Sequence, residues 1–200
     1  LQKLFKIGKK MKKIFQSPED LVKLIQSKNS LLQRPLYVTS GGFDPLHIGH
    51  LRCIQETSKL AKNKKRHPYT QQGLVVVIVN GDGFLLRKKG YAFMPASERA
   101  EIIAGIEGVD YVVHWDPEND QTVIGALAIL KPKYFTKGGD RTAPENIPEW
   151  SICQQNKTEV LFNIGGGKVQ SSSTLVDNAT NLEAIEMLGY VEGFRDGREK

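Results

Sequence analysis

Two histidines stand three residues apart in the run Ser40-Gly41-Gly42-Phe43-Asp44-Pro45-Leu46-His47-Ile48-Gly49-His50. On a helix, residues three apart share a face, so His47 and His50 place two imidazoles on one side of a first turn. The unpaired backbone N–H groups of such a turn attract an anion. Gly41 and Gly42 permit backbone torsions and a close approach that a Cβ forbids, and Gly49, between the two histidines, leaves room for a ligand to pass close to the backbone. Pro45 suits a first helical turn, and Asp44 is the candidate N-cap. The chemistry these residues describe is phosphate binding, with two imidazoles as additional hydrogen-bond donors.

The neighbouring elements must hold that stretch in place. Leu36 to Thr39 reads as a strand, and Leu46 to about Ala61 as a helix with apolar Leu46, Leu51, Ile54 and Leu60. Leu74 to Val79 is a continuous run rich in β-branched residues, the mark of a central strand buried on both faces, and it ends in Asn80-Gly81-Asp82. After Arg87-Lys88-Lys89-Gly90, Pro95 to Arg99 starts a helix running to about Ile106. Val109 to His114 is a third strand, Asp120 to Leu130 a helix, and Lys133 to Thr136 a fourth strand leading into Lys137-Gly138-Gly139-Asp140. Residues 145 to 156 read as helical and Glu159 to Ile164 as a fifth strand. Ser172-Ser173-Thr174 then opens another helix. This alternation predicts an α/β fold: a Rossmann-like, doubly wound, five-stranded parallel sheet with helices on both faces. Ligands bind such sheets at the C-terminal edge of the strands. The histidine run, Asn80 to Asp82, Lys137 to Asp140 and Ser171 to Thr174 all fall there.

The histidine run resembles the His-x-Gly-His signature of the nucleotidyltransferase superfamily. This superfamily includes glycerol-3-phosphate cytidylyltransferase, pantetheine-phosphate adenylyltransferase and the adenylyltransferase domain of ADP-heptose synthase. The class I aminoacyl-tRNA synthetases share the signature, but no Lys-Met-Ser-Lys-Ser loop stands in this chain. Val79-Asn80-Gly81-Asp82, Arg87-Lys88-Lys89-Gly90, Arg99, Lys137-Gly138-Gly139-Asp140 and Ser172-Ser173-Thr174 are similar, in order and content, to the ADP-heptose synthase domain. That resemblance covers about residues 36 to 176. Where cytidylyltransferases carry Arg-Thr-x-Gly, this chain has Gly167-Lys168-Val169-Gln170, which favours ATP over CTP.

The resemblance implies attack by an acceptor phosphate on the α-phosphorus of a nucleoside triphosphate, with pyrophosphate leaving. It implies that His47 and His50 bind the triphosphate, His50 stabilising the α-phosphoryl transition state, and that Lys89 serves the acceptor phosphate or α-phosphate. Gly41, Gly42, Phe43 and Gly49 would form a backbone floor, Lys137, Gly138, Gly139 and Asp140 would border base and ribose, and Ser172, Ser173 and Thr174 would hold the leaving phosphates. Asn80, Asp82 and Arg99 are candidates for acceptor or structural roles, a salt bridge being the alternative for Arg99. Mg²⁺ is expected with the nucleotide, with Asp44 as an indirect contact and no direct side-chain ligand. Two rivals are a cytidylyltransferase acting on a polyol or alcohol phosphate, and a nucleotide-binding module without turnover that engages a partner. Family members are often homodimers, so a homodimer is expected.

Composition sets the remaining bounds. The chain has 200 residues, 40% apolar and 25% charged, as in an ordinary globular protein. Its apolar runs are all too short to span a membrane. Cys53 and Cys153 lack CxxC spacing and read as reduced packing thiols, so a cytoplasmic setting is expected. The formal charge of +6 resides in Lys3, Lys6, Lys9, Lys10, Lys12 and Lys13; beyond them, 22 basic residues face 22 acidic ones. With Leu4, Phe5, Ile7, Met11, Ile14 and Phe15 these lysines form a basic amphipathic segment, expected to be a solvated extension or to touch an anionic partner or membrane surface. Ser17-Pro18-Glu19-Asp20 opens a further helix expected to end near Lys28 to Ser30. The resulting division is a helical extension over residues 1–35, a catalytic domain over 36–180, and a C-terminal helix and tail over 181–200.

Overall fold

The computed structural model describes residues 13–66, 72–139 and 143–180. The arm before residue 13, Asp140 and the expected C-terminal helix over 181–200 lie outside the described residues, as does part of the loop between the histidine helix and the central strand. The strands are β1 (Ile14–Phe15), β2 (Leu36–Gly41), β3 (Leu74–Asn80), β4 (Tyr111–Trp115), β5 (Tyr134–Thr136) and β6 (Glu159–Leu161). The helices are α1 (Pro18–Gln26), α2 (Asn29–Leu32), α3 (Ile48–Lys62), α4 (Asp82–Lys89), α5 (Ala96–Gly105), α6 (Ile124–Leu130), α7 (Trp150–Gln155) and α8 (Ser172–Thr180).

All strand pairs are parallel, in the order β1-β4-β3-β2-β5-β6. The chain steps outward from β2 through β3 to β4, then returns to the other side of β2 for β5 and β6. The order therefore reverses between β2 and β5, and a crevice opens at such a point above the strand ends. β3 shows why both faces are covered. Its side chains alternate, and all seven residues are buried. Leu74, Val76 and Ile78 pack with Leu21, Leu127 and Phe135 on one face. Val77 and Val79 pack with Ile54, Ala100 and Ile103 on the other. Thus α1 and α6 cover one side while α3 and α5 cover the opposite side.

The sheet has six strands where five were expected, because the end of the basic segment is extended rather than helical. Ile14 pairs with Val112 and Phe15 with Val113, and the Val112 N–H donates to the Lys13 carbonyl at 2.8 Å. Phe15 is buried and meets the Tyr111 ring edge-on at 5.7 Å. An unpaired edge of β4 offers ladder hydrogen bonds that an isolated helical turn could not match. With Leu21 of α1 fully buried in the same core, residues 13–35 pack as part of the main body.

Several expected ends move for local reasons. Ser17 does cap α1, accepting from the Asp20 N–H at 3.3 Å. That helix stops at Gln26, and a separate short turn, α2, follows. The helix expected from Asp120 begins at Ile124, because Asp120 Oδ1 accepts from Thr122 N at 2.7 Å and closes a side-chain turn first. The segment expected to be one helix from residue 145 is a 3₁₀ turn at Pro144–Asn146 and then α7; Pro148, between them, supplies no N–H for a continuous ladder. β6 ends at Leu161, and Asn163, Gly165 and Gly166 follow with positive φ.

Candidate active site

A cavity of about 390 Å³ opens at the C-terminal ends of β2, β3 and β5, where the strand order reverses. Its wall brings together Gly41, Gly42 and Phe43, both histidines, Lys89, the Lys137 to Gly139 turn, and Ser172 with Ser173. Four stretches far apart in sequence meet there because parallel strands all deliver their C-termini to one edge.

The histidines are built into the start of α3. His47 is its N-cap, with Nδ1 accepting from Gly49 N at 3.1 Å, and His50 Nδ1 accepts from His47 N at 3.3 Å. The rings stack with centroids 3.7 Å apart, and Phe43 meets His50 edge-on at 5.0 Å. A neutral imidazole that accepts at Nδ1 carries its proton on Nε2, so each ring has an Nε2–H donor. Burial, aided by Lys89, pushes His47 below its ordinary value. Burial, His47 and Lys89 together push His50 down to about 3. Both rings are therefore neutral donors near pH 7.

Asp44 is not the cap expected from its position. It is fully buried, and its oxygens accept from Phe93 N and Met94 N, each at 2.7 Å. It clamps the loop after α4, and Pro45, joined through a cis peptide, lies upstream of the cap. The glycines also act differently from expectation. Neither Gly41 nor Gly42 has positive φ; the left-handed position is Phe43, at φ 55°. Their missing side chains matter for space, since a Cβ on Gly41 would lie 3.1 Å from the Phe43 ring and one on Gly42 2.8 Å from Leu85 Cδ2. At Gly49 a Cβ would lie 3.1 Å from the His47 ring, so that glycine makes room for the imidazole.

Lys89 ends α4, which Gly90 terminates with φ 80°. Burial lowers the Lys89 ammonium, the Asp44 carboxylate pulls it back up, and Lys88 and Arg99 lower it further. Asn80 also lines the cavity, and its buried Oδ1 has no hydrogen-bond partner. Asp82 and Arg99 stand outside the cavity wall and form an ion pair with each other, the alternative the sequence left open for Arg99. Arg99 is 1% exposed and donates to the carbonyls of Met94, Gly42 and Asn80 at 2.8, 2.6 and 2.6 Å, and to Asp82 Oδ1 at 2.5 Å. It ties together the ends of β2 and β3 and the loop before α5.

At α8 the serines divide their tasks. Ser171 acts as the cap, its Oγ accepting from Thr174 N at 3.1 Å. Ser172 Oγ donates to the Pro45 carbonyl at 3.0 Å, fastening α8 beside the start of α3. Ser172 and Ser173 reach the cavity wall, whereas Thr174 does not. Cys53 and Cys153 are free buried thiols, and Cys53 lines the cavity. Glu149, absent from the sequence reading, is buried at the wall with Oε2 3.5 Å from Lys137 Nζ. A single glutamate in a segment read as helical carries no spacing signal that could have singled it out.

Among the described residues, no group of three or more His, Cys, Asp or Glu side chains is placed to hold a metal ion, and both Asp44 oxygens already accept. No described helix is long and apolar enough to cross a membrane.

Residues 38–179 match the cytidylyltransferase-like family. The chain is 33% identical over 168 residues to the bifunctional protein HldE of Pelobacter propionicus, covering 83% of this chain and 29% of that one. It is 30% identical over 152 residues to HldE of Hahella chejuensis, covering 75% and 27%. The chain thus spans less than a third of the length of these relatives. Its fold is similar to that of pantoate-β-alanine ligase from Francisella tularensis, with a TM-score of 0.50 and 14% identity over 80% of this chain and 69% of that one. The family match alone covers well over half of the sequence, so the chain belongs to the cytidylyltransferase-like family of nucleotidyltransferases.

Proposed function

We propose that this chain transfers a nucleotidyl group from a nucleoside triphosphate, ATP before CTP, to the phosphate of a small acceptor such as a sugar phosphate. An acceptor phosphate oxygen bonds to the α-phosphorus, the bond from α-phosphorus to the bridging oxygen breaks, and pyrophosphate leaves. The observation that carries this reading is the pair of neutral, stacked imidazoles beside Lys89 over the glycine floor. Phosphoryl-type transfer needs positioning and charge stabilisation more than covalent help. The Nε2–H of His50 would donate to a non-bridging α-phosphate oxygen as charge builds there, and His47 would hold the neighbouring phosphate. Lys89 would neutralise the incoming acceptor, and Ser173 with the first N–H groups of α8 would receive the leaving phosphates. Mg²⁺ would enter as part of the nucleotide substrate.

ATP is favoured by the resemblance to the ADP-heptose synthase domain, by the similarity to HldE proteins, and by Gly167 to Gln170 standing where cytidylyltransferases carry Arg-Thr-x-Gly. A heptose 1-phosphate is the acceptor that resemblance supports. We place the activity in the cytoplasm, where the triphosphate is supplied, and in a homodimer. Pyrophosphate release with Mg²⁺, using ATP, CTP, GTP and UTP against sugar, polyol and pantetheine phosphates, tests the reading. Turnover with ATP and a sugar phosphate is expected. Turnover with CTP and a polyol phosphate would replace it by the cytidylyl reading. Nucleotide binding without turnover on any acceptor would favour the partner-binding module, for which the basic segment before residue 13 is the place to look.

A further inference from the structure

Glu149 has no part in the reaction described above. It follows the β5 turn, just before α7, and is 5% exposed. Its Oε2 is buried without a hydrogen-bond partner, although Lys137 Nζ stands 3.5 Å away in an ion pair. A buried carboxylate left short of donors is costly unless something else supplies them. Both Glu149 and Lys137 line the nucleotide cavity, so a ligand in that cavity is the available source.

The position of the pair along the cavity indicates which part of a nucleotide meets it. Cys53 lies three residues after His50 on α3, about one helical turn or 5 Å further on. Gly138, next to Lys137, sits directly against that thiol, since a Cβ there would be 3.1 Å from Cys53 Sγ. The turn that carries Lys137 therefore packs against α3 one helical turn beyond the histidine proposed to hold the α-phosphate. In a nucleotide the group one step beyond the α-phosphate is the ribose. A carboxylate repels phosphate but accepts well from a hydroxyl, and an ammonium beside it can donate to the second oxygen of a vicinal diol.

We infer that Glu149, paired with Lys137, reads the ribose hydroxyls of the bound nucleoside triphosphate and makes the site selective for ribonucleotides over deoxyribonucleotides. This rests on the nucleotidyl-transfer reading. The test is equilibrium binding of ATP and CTP, and of their 2′-deoxy and 3′-deoxy forms, to the full chain with Mg²⁺. Loss of one hydroxyl should weaken binding by wild type by roughly tenfold or more, the range of a hydrogen bond to a charged acceptor. In Glu149→Ala, which removes the acceptor, that discrimination should fall to nearly none, while in Glu149→Asp, which keeps the charge beside Lys137, part of it should remain.

Equal binding of ribo- and deoxyribonucleotides by wild type would overturn the inference without any variant being made, and leave nucleotidyl transfer standing. Discrimination that persists undiminished in both variants would also overturn it, because another group would then be reading the hydroxyl. No binding of any nucleotide by wild type would overturn the transfer reading, and this inference with it.

Discussion

His50 is the residue on which the proposed chemistry turns, and its environment makes two outcomes testable. If its Nε2–H stabilises the α-phosphoryl transition state, His50→Ala should lower the rate of pyrophosphate release by roughly 10² to 10³, with the fold checked by circular dichroism; near-normal turnover would remove that role. Its pKa also links to stability. The folded value of about 3 lies below the ordinary 6.5, so between those limits the unfolded chain binds a proton that the folded one does not. The stability due to the neutral ring is complete above pH 6.5 and is lost as pH falls toward 3. Urea midpoints measured at pH 7 and pH 4.5 should fall with acid, and fall less in His50→Asn. Arg99 gives a third outcome. Its guanidinium serves three carbonyls and Asp82 from a site that is 1% exposed. Arg99→Ala should therefore cost about 3–5 kcal/mol in chemical denaturation, as expected when one partner of a buried charged network is removed.

At the scale of elements, the position of α4 decides where Lys89 points. The N-cap of α4 is Gly81, which offers no side-chain cap, so the cap comes from elsewhere: Asp116, just after β4, accepts from Gly83 N at 2.9 Å and Phe84 N at 2.7 Å. A Cβ on Gly81 would collide with that same carboxylate. Asp116→Ala should destabilise by about 1–2 kcal/mol, the worth of a helix cap. By loosening α4 it should also raise KM for the phosphorylated acceptor more than it lowers kcat, which steady-state assays over acceptor concentration would measure. This cap was not legible in the sequence. The regular elements were, because hydrophobic run length and periodicity report burial directly, as in Leu74 to Val79. That the histidine run and the Lys137 turn would meet was also legible, since parallel strands deliver both to one edge of the sheet, where they line the same cavity. Asp116, Glu149, and the clamping roles of Asp44 and Arg99 depend on which distant backbone groups happen to need a partner. One-dimensional spacing holds no record of that need.

Across the whole molecule, the sheet is finished at one edge by only two residues, Ile14 and Phe15. Compared with a chain that starts at residue 13, one that starts at residue 17 loses Phe15 from the core and bares the edge of β4. The shorter chain should lose about 2–3 kcal/mol in a urea melt, the worth of one buried phenylalanine, and associate through the exposed strand; equal melts would deny β1 that part. The strand order has a further consequence. The contact of Ser172 with the Pro45 carbonyl spans 127 residues, and the cavity needs α8 as one of its walls. A nascent chain leaving the ribosome thus carries its two histidines long before it has the closed cavity proposed to take a triphosphate. Fragments that end before α8, whether from interrupted synthesis or from cleavage, would keep the signature yet remain inert toward the cell's nucleotide pool.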